Sequence, residues 1–254
     1  MHLLVDIGNT SIGVVFCNKD TFVDKFSIAC EKGKTVDEYY SIFHHLFKKH
    51  LSDDIRHICI SSVVPILSNV LCEALLRIYN NAQIITVGPG VKTGVLFKID
   101  NLAELGADLV CDAVALKKKY LKSVVAVDLG TATKFLLLNK DGNFEGCSIA
   151  PGLAQAVKSL CNEASLLPEV DISLPKKIVG KNTFESIKSG SIFGHAMMIV
   201  GMCNAYEREC GYKLKRVITG GYSKPIQQIF IDNGFILDEN LVFDGLQVIY
   251  EKNR

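Results

Sequence analysis

Residues 3–5 are apolar and run into Asp6; Gly8, Asn9, Thr10 and Ser11 follow, and a second apolar stretch reaches Phe16. Two apolar runs of strand length around a Gly/Asn turn predict a β-hairpin. The design returns at mid-chain, where Val125-Ala-Val-Asp128-Leu-Gly130-Thr131-Ala-Thr133-Lys134 leads into Phe135 and Leu138. Each copy reads as apolar strand, aspartate, a turn of glycine with hydroxyl or amide residues, and apolar strand. Two copies of one unit predict two halves of similar build, 1–118 and 119–254. Between them, Val36, Tyr39, Tyr40, Ile42, Phe43, Leu46 and Phe47 recur at helical spacing, which predicts a helix over 35–50. The pattern then predicts a buried strand at 57–61, a helix over 65–80, a strand at 84–87 closed by Gly88-Pro89-Gly90, and a helix over 102–119. In the second half, Asn182 with Glu185 three residues on has capping-box spacing, and Gly211 is a natural residue to end that helix. A strand at 216–219 runs into Gly220-Gly221, and a final helix is expected over 244–251. Strands alternating with helices in this way define an α/β chain.

Composition changes this picture little. The chain has 254 residues, 48% hydrophobic and 22% charged, enough for a substantial core. Twenty-eight Lys and Arg against 27 Asp and Glu leave +1, so no overall field favours nucleic acid or an anionic membrane. No stretch approaches the roughly 18 apolar residues of a membrane span, and the N-terminus has no signal-like core, so a cytoplasmic protein is expected. Nine cysteines are scattered with no Cys-x-x-Cys pair, which reads as small buried hydrophobes rather than a zinc site. The six histidines, including His44, His45 and His195, lack the spacing of ligands or paired bases and read as structural or solvated.

The turns carry the candidate chemistry. Glycine with φ > 0 lets the chain reverse and lets an anion approach the main chain. Asn9, Thr10 and Ser11 offer donors to phosphate oxygens. Asp6 would be repelled by bare phosphate, so a cation belongs between them, and Mg²⁺ held through one or two carboxylates and water fits. A Gly-Asn turn alone is also an ordinary hairpin closer; the second copy at Asp128 to Thr133 favours two turns gripping a polyphosphate. Thr219-Gly-Gly221 would add bare backbone for a base or sugar. Asp108 in Gly106-Ala-Asp108 lies near a helix start, where it would accept a proton from a hydroxyl during γ-phosphate transfer. The same aspartate is equally a first-turn residue favoured by the helix dipole, and the pattern leaves both readings open.

In order and spacing, these motifs resemble the type III pantothenate kinases of the acetate and sugar kinase/heat-shock/actin superfamily. Carrying the resemblance are Asp6-Ile-Gly-Asn-Thr10, Gly106-Ala-Asp108, Asp128-Leu-Gly-Thr-Ala-Thr133, Ile149-Ala-Pro-Gly-Leu153, Leu167-Pro168, Gly180-Lys-Asn-Thr183, Ser189-Gly190 and Thr219-Gly-Gly221. The resemblance implies an actin-like ATPase fold of two ribonuclease-H-like halves, with the active site in the cleft between them. It implies ATP-dependent phosphorylation of pantothenate, the first committed step toward coenzyme A. It further implies Mg²⁺, a monovalent cation (K⁺ or NH₄⁺) and a homodimer. Residue by residue, Asp6, Ile7, Gly8, Asn9, Thr10, Ser11, Ile12 and Gly13 would hold the ATP phosphates. Asp6 would face Mg²⁺ through water, Thr131 would contact ATP, and Asp128 would bind the monovalent cation. Asp108 would be the proton acceptor; Ile99, Gly106, Ala107, Leu109 and Thr183 would line the pantothenate pocket with it.

The chain departs from the family pattern at several positions. Leu109 replaces an arginine, and Ile99-Asp100-Asn101-Leu102 replaces a Tyr-Asp-x-Pro run. Lys134 stands where a third threonine is common, Asp112 where asparagine is, and Cys147 where a second glycine is. Losing the arginine or the tyrosine contact costs acceptor binding about 1–3 kcal/mol each if its partner goes unpaired. Two further readings follow: a kinase of this fold acting on another small alcohol, and a nucleotide-binding relative without catalysis.

Overall fold

The structure, a computed structural model, describes residues 1–163, 168 and 170–254. Leu167 of the Leu167-Pro168 motif lies outside the described residues. Two compact units emerge. The first comprises Met1–Val95, Asp100–Lys119 and Leu241–Arg254; the second comprises Leu96–Ile99 and Tyr120–Asn240.

In the first unit, β1 (His2–Ile7), β2 (Ser11–Asn18) and β3 (Thr21–Ala29) form an antiparallel meander. Helix α1 (Val36–Leu46) leads to β4 (His57–Ser62), then α2 (Pro65–Ile78) to β5 (Gln83–Thr86), both strands parallel to β1. The sheet order is β3-β2-β1-β4-β5. The pleat sorts the side chains. Leu3, Val5, Ile7, Ile58 and Ile60 pack on one face with Tyr39 and Phe43 of α1 and Leu67 and Leu71 of α2. Leu4, Val15, Cys17 and Cys59 pack on the other, against α3 (Ala107–Tyr120) and the C-terminal helix. Burial on both faces explains why β1 reads as a continuous apolar run.

The second unit repeats the plan. Strands β6 (Val124–Leu129), β7 (Ala132–Leu138) and β8 (Phe144–Pro151) form the meander. After α4 (Leu153–Glu163) and α5 (Thr183–Cys210), β9 (Lys215–Thr219) lies parallel to β6. Helix α6 (Gln227–Asp232) precedes β10 (Phe235–Leu237), which is parallel to β9. The order β10-β9-β6-β7-β8 is that of the first sheet, strand for strand. Val125, Val127 and Leu129 pack here with Ile192, Ala196 and Ile199 of α5 and Phe230 of α6.

Four expectations need adjustment. The last helix, α7 (Leu241–Asn253), packs with the first unit, although the two-half division placed it in 119–254. The helix expected over 102–119 breaks into a 3₁₀ turn at Leu102–Glu104, started by Asn101 accepting from the Ala103 amide, and α3. Asn182 caps α5 by accepting from the Glu185 amide at 2.9 Å, but the Glu185 carboxylate accepts from the Lys181 amide, not from Asn182. Of the cysteines, all unpaired, Cys17, Cys59, Cys111 and Cys203 are buried; Cys147 is exposed. Among the described residues no helix is long and apolar enough to cross a membrane.

Candidate active site

Asp6 lies near the end of β1, opposite Gly13 of β2 and Ser61 of β4. The chain then turns through Gly8, Asn9 and Thr10, and the Gly8 amide donates to the Ser11 carbonyl at 3.0 Å. Asn9, Thr10 and Ser11 are exposed, so their polar groups stand at the tip where a phosphate can reach them. Lys32 Nζ donates to Asn9 Oδ1 at 3.3 Å and brings positive charge to this turn. Nothing in the sequence pointed to it, because 23 residues separate the two.

In the rest of the expected 6–13 segment the side chains pack into the protein, and only the main chain could meet a phosphate. Ile7 and Ile12 are wholly buried, so their side chains belong to the core. A Cβ on Gly13 would stand 2.7 Å from the Phe243 ring of α7, so this glycine makes room for that helix. Neither Gly8 nor Gly130 adopts positive φ. Gly8 is needed for a close approach instead, its Cβ falling 3.1 Å from the Ser11 carbonyl oxygen.

Asp108 occupies the first turn of α3 and its Oδ1 accepts from the Leu109 amide at 2.8 Å. The carboxylate folds back over Gly106, where a Cβ would lie 2.6 Å from Oδ1. The Gly-x-Asp spacing therefore has a steric reason. Val63 ties this corner to the phosphate turn: its amide donates to the Ile7 carbonyl at 3.0 Å, and its side chain lies 3.4 Å from that same Cβ position. One turn along α3, burial pushes the Cys111 thiol up, with the Asp6 and Asp112 charges adding to the shift. The first unit thus brings Asp6, its turn and Asp108 to one corner. Asp112, buried and four residues beyond Asp108, joins the same helix face. Ala107 and Leu109 are only 8% and 5% exposed. Both side chains are therefore largely covered, and Gly106 and Asp108, both half-buried, are the more accessible members of this segment.

The remaining site residues, Ile99, Asp128, Thr131 and Thr183, belong to the second unit. Thr131 is exposed at the β6–β7 turn, where the Gly130 amide donates to the Ala132 carbonyl at 3.1 Å. Gly152 packs beneath it, since a Cβ there would come within 2.1 Å of the Thr131 carbonyl oxygen. That contact accounts for the glycine of the Ile149-to-Leu153 motif. Thr133 does not offer its hydroxyl to a ligand; it is buried and bonded to His195 Nε2 at 2.8 Å. Burial lowers the His195 pKa, so this imidazole is neutral at neutral pH and acts as a hydrogen-bonding partner. Thr183 opens α5 and is exposed; Ile99 is half-buried. Asp128 forms an ion pair, with Lys134 Nζ 2.6 Å from its Oδ2.

Two ribonuclease-H-like sheets of identical order, each with an aspartate-led hydroxyl turn, are those of the actin-like ATPase and sugar-kinase fold. Solved structures with this fold include a protein called a Baf family transcriptional activator from Campylobacter jejuni (TM-score 0.59, 19% identity, covering 98% of this chain and 97% of that one). The activator of 2-hydroxyisocaproyl-CoA dehydratase from Clostridium difficile, solved with bound ADPNP, shares it too (TM-score 0.53, 12% identity, 98% and 93% covered). The sequence narrows the class. The type III pantothenate kinase family model matches residues 2–205. A type III pantothenate kinase from Citrifermentans bemidjiense is 39% identical over 260 aligned residues, covering the whole of both chains. This chain belongs to the type III pantothenate kinase family.

Proposed function

We propose that the protein transfers the γ-phosphate of ATP to the primary hydroxyl of pantothenate, giving 4′-phosphopantothenate for coenzyme A synthesis. The hydroxyl oxygen bonds to the γ-phosphorus, the bond from that phosphorus to the β,γ-bridging oxygen breaks, and ADP departs. The hydroxyl proton passes to Asp108. The observation that carries this reading is the corner of the first unit, where Asp108 folds over Gly106 and Val63 links that point to the turn after Asp6. Phosphoryl transfer asks a protein for little beyond positioning and charge neutralisation. A half-buried carboxylate beside exposed amide and hydroxyl groups suits Mg²⁺, which keeps waters and takes the rest of its ligands from phosphates. When bound, Mg²⁺ would neutralise charge on the β- and γ-phosphates, with Asp6 facing it through water. The roles of Thr131 toward ATP and of Ile99 and Thr183 toward pantothenate, the homodimer and the cytoplasmic location rest on the family resemblance.

The test is pantothenate-dependent ADP release by purified protein. Asp108→Asn should lower turnover about 10²–10⁴-fold, the usual worth of a positioned proton acceptor. ATP-induced thermal stabilisation of the variant should persist. Full ADP release by Asp108→Asn would overturn the assignment. Release driven by another small alcohol would move the acceptor, and nucleotide stabilisation with no active acceptor would favour a binding protein.

A further inference from the structure

Asp128 is the last residue but one of β6, and Lys134 sits directly opposite it in β7. The ammonium lies 2.6 Å from Oδ2, and the two side chains are only 13% (Lys134) and 15% (Asp128) exposed. Two glycines approach the carboxylate closely. A Cβ on Gly220, whose φ is +90°, would fall 2.5 Å from Asp128 Oδ1 and equally close to the Leu129 carbonyl. A Cβ on Gly130 would lie 3.6 Å from both carboxylate oxygens. The family resemblance gives this carboxylate a monovalent cation. That cation does not fit the residues present. A carboxylate shielded from water already has its counter-charge, and that charge is tethered to the neighbouring strand. A second cation would have to displace a largely shielded ammonium or share one carboxylate with it, and low solvent access makes either costly. Lysine suits the substitution because its ammonium is a compact point charge on a flexible stem.

We propose that the Lys134 ammonium takes the place of the monovalent cation, so that nucleotide binding and turnover in this protein need neither K⁺ nor NH₄⁺. The proposal rests on reading Asp128 as part of the nucleotide site, and its test separates the two. Binding of a non-hydrolysable ATP analogue with Mg²⁺ would be measured by calorimetry in choline chloride and in potassium chloride at equal ionic strength. Pantothenate-dependent ADP release would be followed in the same buffers. The wild-type protein should bind and turn over within about two-fold in the two salts. Lys134→Thr should bind the analogue at least about tenfold more weakly in choline and recover in potassium, a rescue that a merely structural lysine would not show. Tenfold or greater stimulation of wild-type binding by K⁺ overturns the proposal. So does a folded Lys134→Thr that binds equally well in both salts. If Lys134→Thr fails to fold, the wild-type comparison and Lys134→Met decide together; Met supplies neither charge nor oxygen, so its weakened binding should resist K⁺. Salt-independent binding without pantothenate turnover would support the tethered cation while overturning the acceptor assigned above.

Discussion

A glycine can be required by what its missing Cβ would strike, and three glycines here show different consequences. At Gly106 the obstacle is the end of the Asp108 side chain, which can move. Gly106→Ala should therefore displace the carboxylate and leave the backbone alone. Turnover is expected to fall about tenfold or more, because a misplaced reacting group loses its orientation. Unfolding free energy should stay within about 1 kcal/mol of the parent, since the new methyl also restricts the unfolded chain. Steady-state kinetics and urea melts of one preparation check both halves, and equal losses in both would contradict the steric argument. At Gly13 the obstacle is the Phe243 ring, so this position also serves the packing of α7. At Gly152 it is the Thr131 carbonyl, which ties the start of α4 to the β6–β7 turn. None of these three distinctions is visible from the residue type.

Between elements the same steric reading becomes a stability argument. Gly245 of α7 faces α3 so closely that a Cβ would lie 1.9 Å from the Cys111 carbonyl oxygen. Replacing a helical glycine with alanine gains about 1 kcal/mol of helix propensity. Overpacking against backbone costs about 1–3 kcal/mol and can exceed that, and here no side chain is available to yield. Gly245→Ala should therefore be net destabilising, seen as a lower urea midpoint with an unchanged slope. A higher midpoint would mean that α3 and α7 slide apart at little cost. The α3–α7 contact also bears on function, because α3 carries Asp108 in its first turn. The Thr35–Glu38 capping box of α1 makes the opposite point: adjacent residues satisfy one another there, and the helix start needs no tertiary partner.

At the scale of the molecule, chain order and unit membership part company at α7. Phe243, Leu246, Ile249 and Tyr250 complete the face of the first sheet formed by Leu4, Val15 and Cys59. Burying an apolar side chain is worth about 1.5–3 kcal/mol, so four contribute roughly 6–12 kcal/mol, comparable with the stability of a typical domain. A fragment ending at residue 118 should fail to fold cooperatively, and co-expression with a peptide of residues 241–254 should restore a urea transition. A cooperative fragment without the peptide would show that this face tolerates exposure. The sequence by itself determined the duplicated hairpin, the α/β alternation, the main helix positions and the family, because each is written in local periodicity and short motifs. Asp6, Asp108 and the turn at 9–11 were legible as candidates for the same reason. Tertiary structure alone decided that α7 returns to the first unit, that Thr133 bonds His195, that Leu109 is covered and that Lys134 meets Asp128. Those outcomes depend on which side chains meet across strands and between helices, and such encounters are set by register and packing of distant segments rather than by neighbours along the chain.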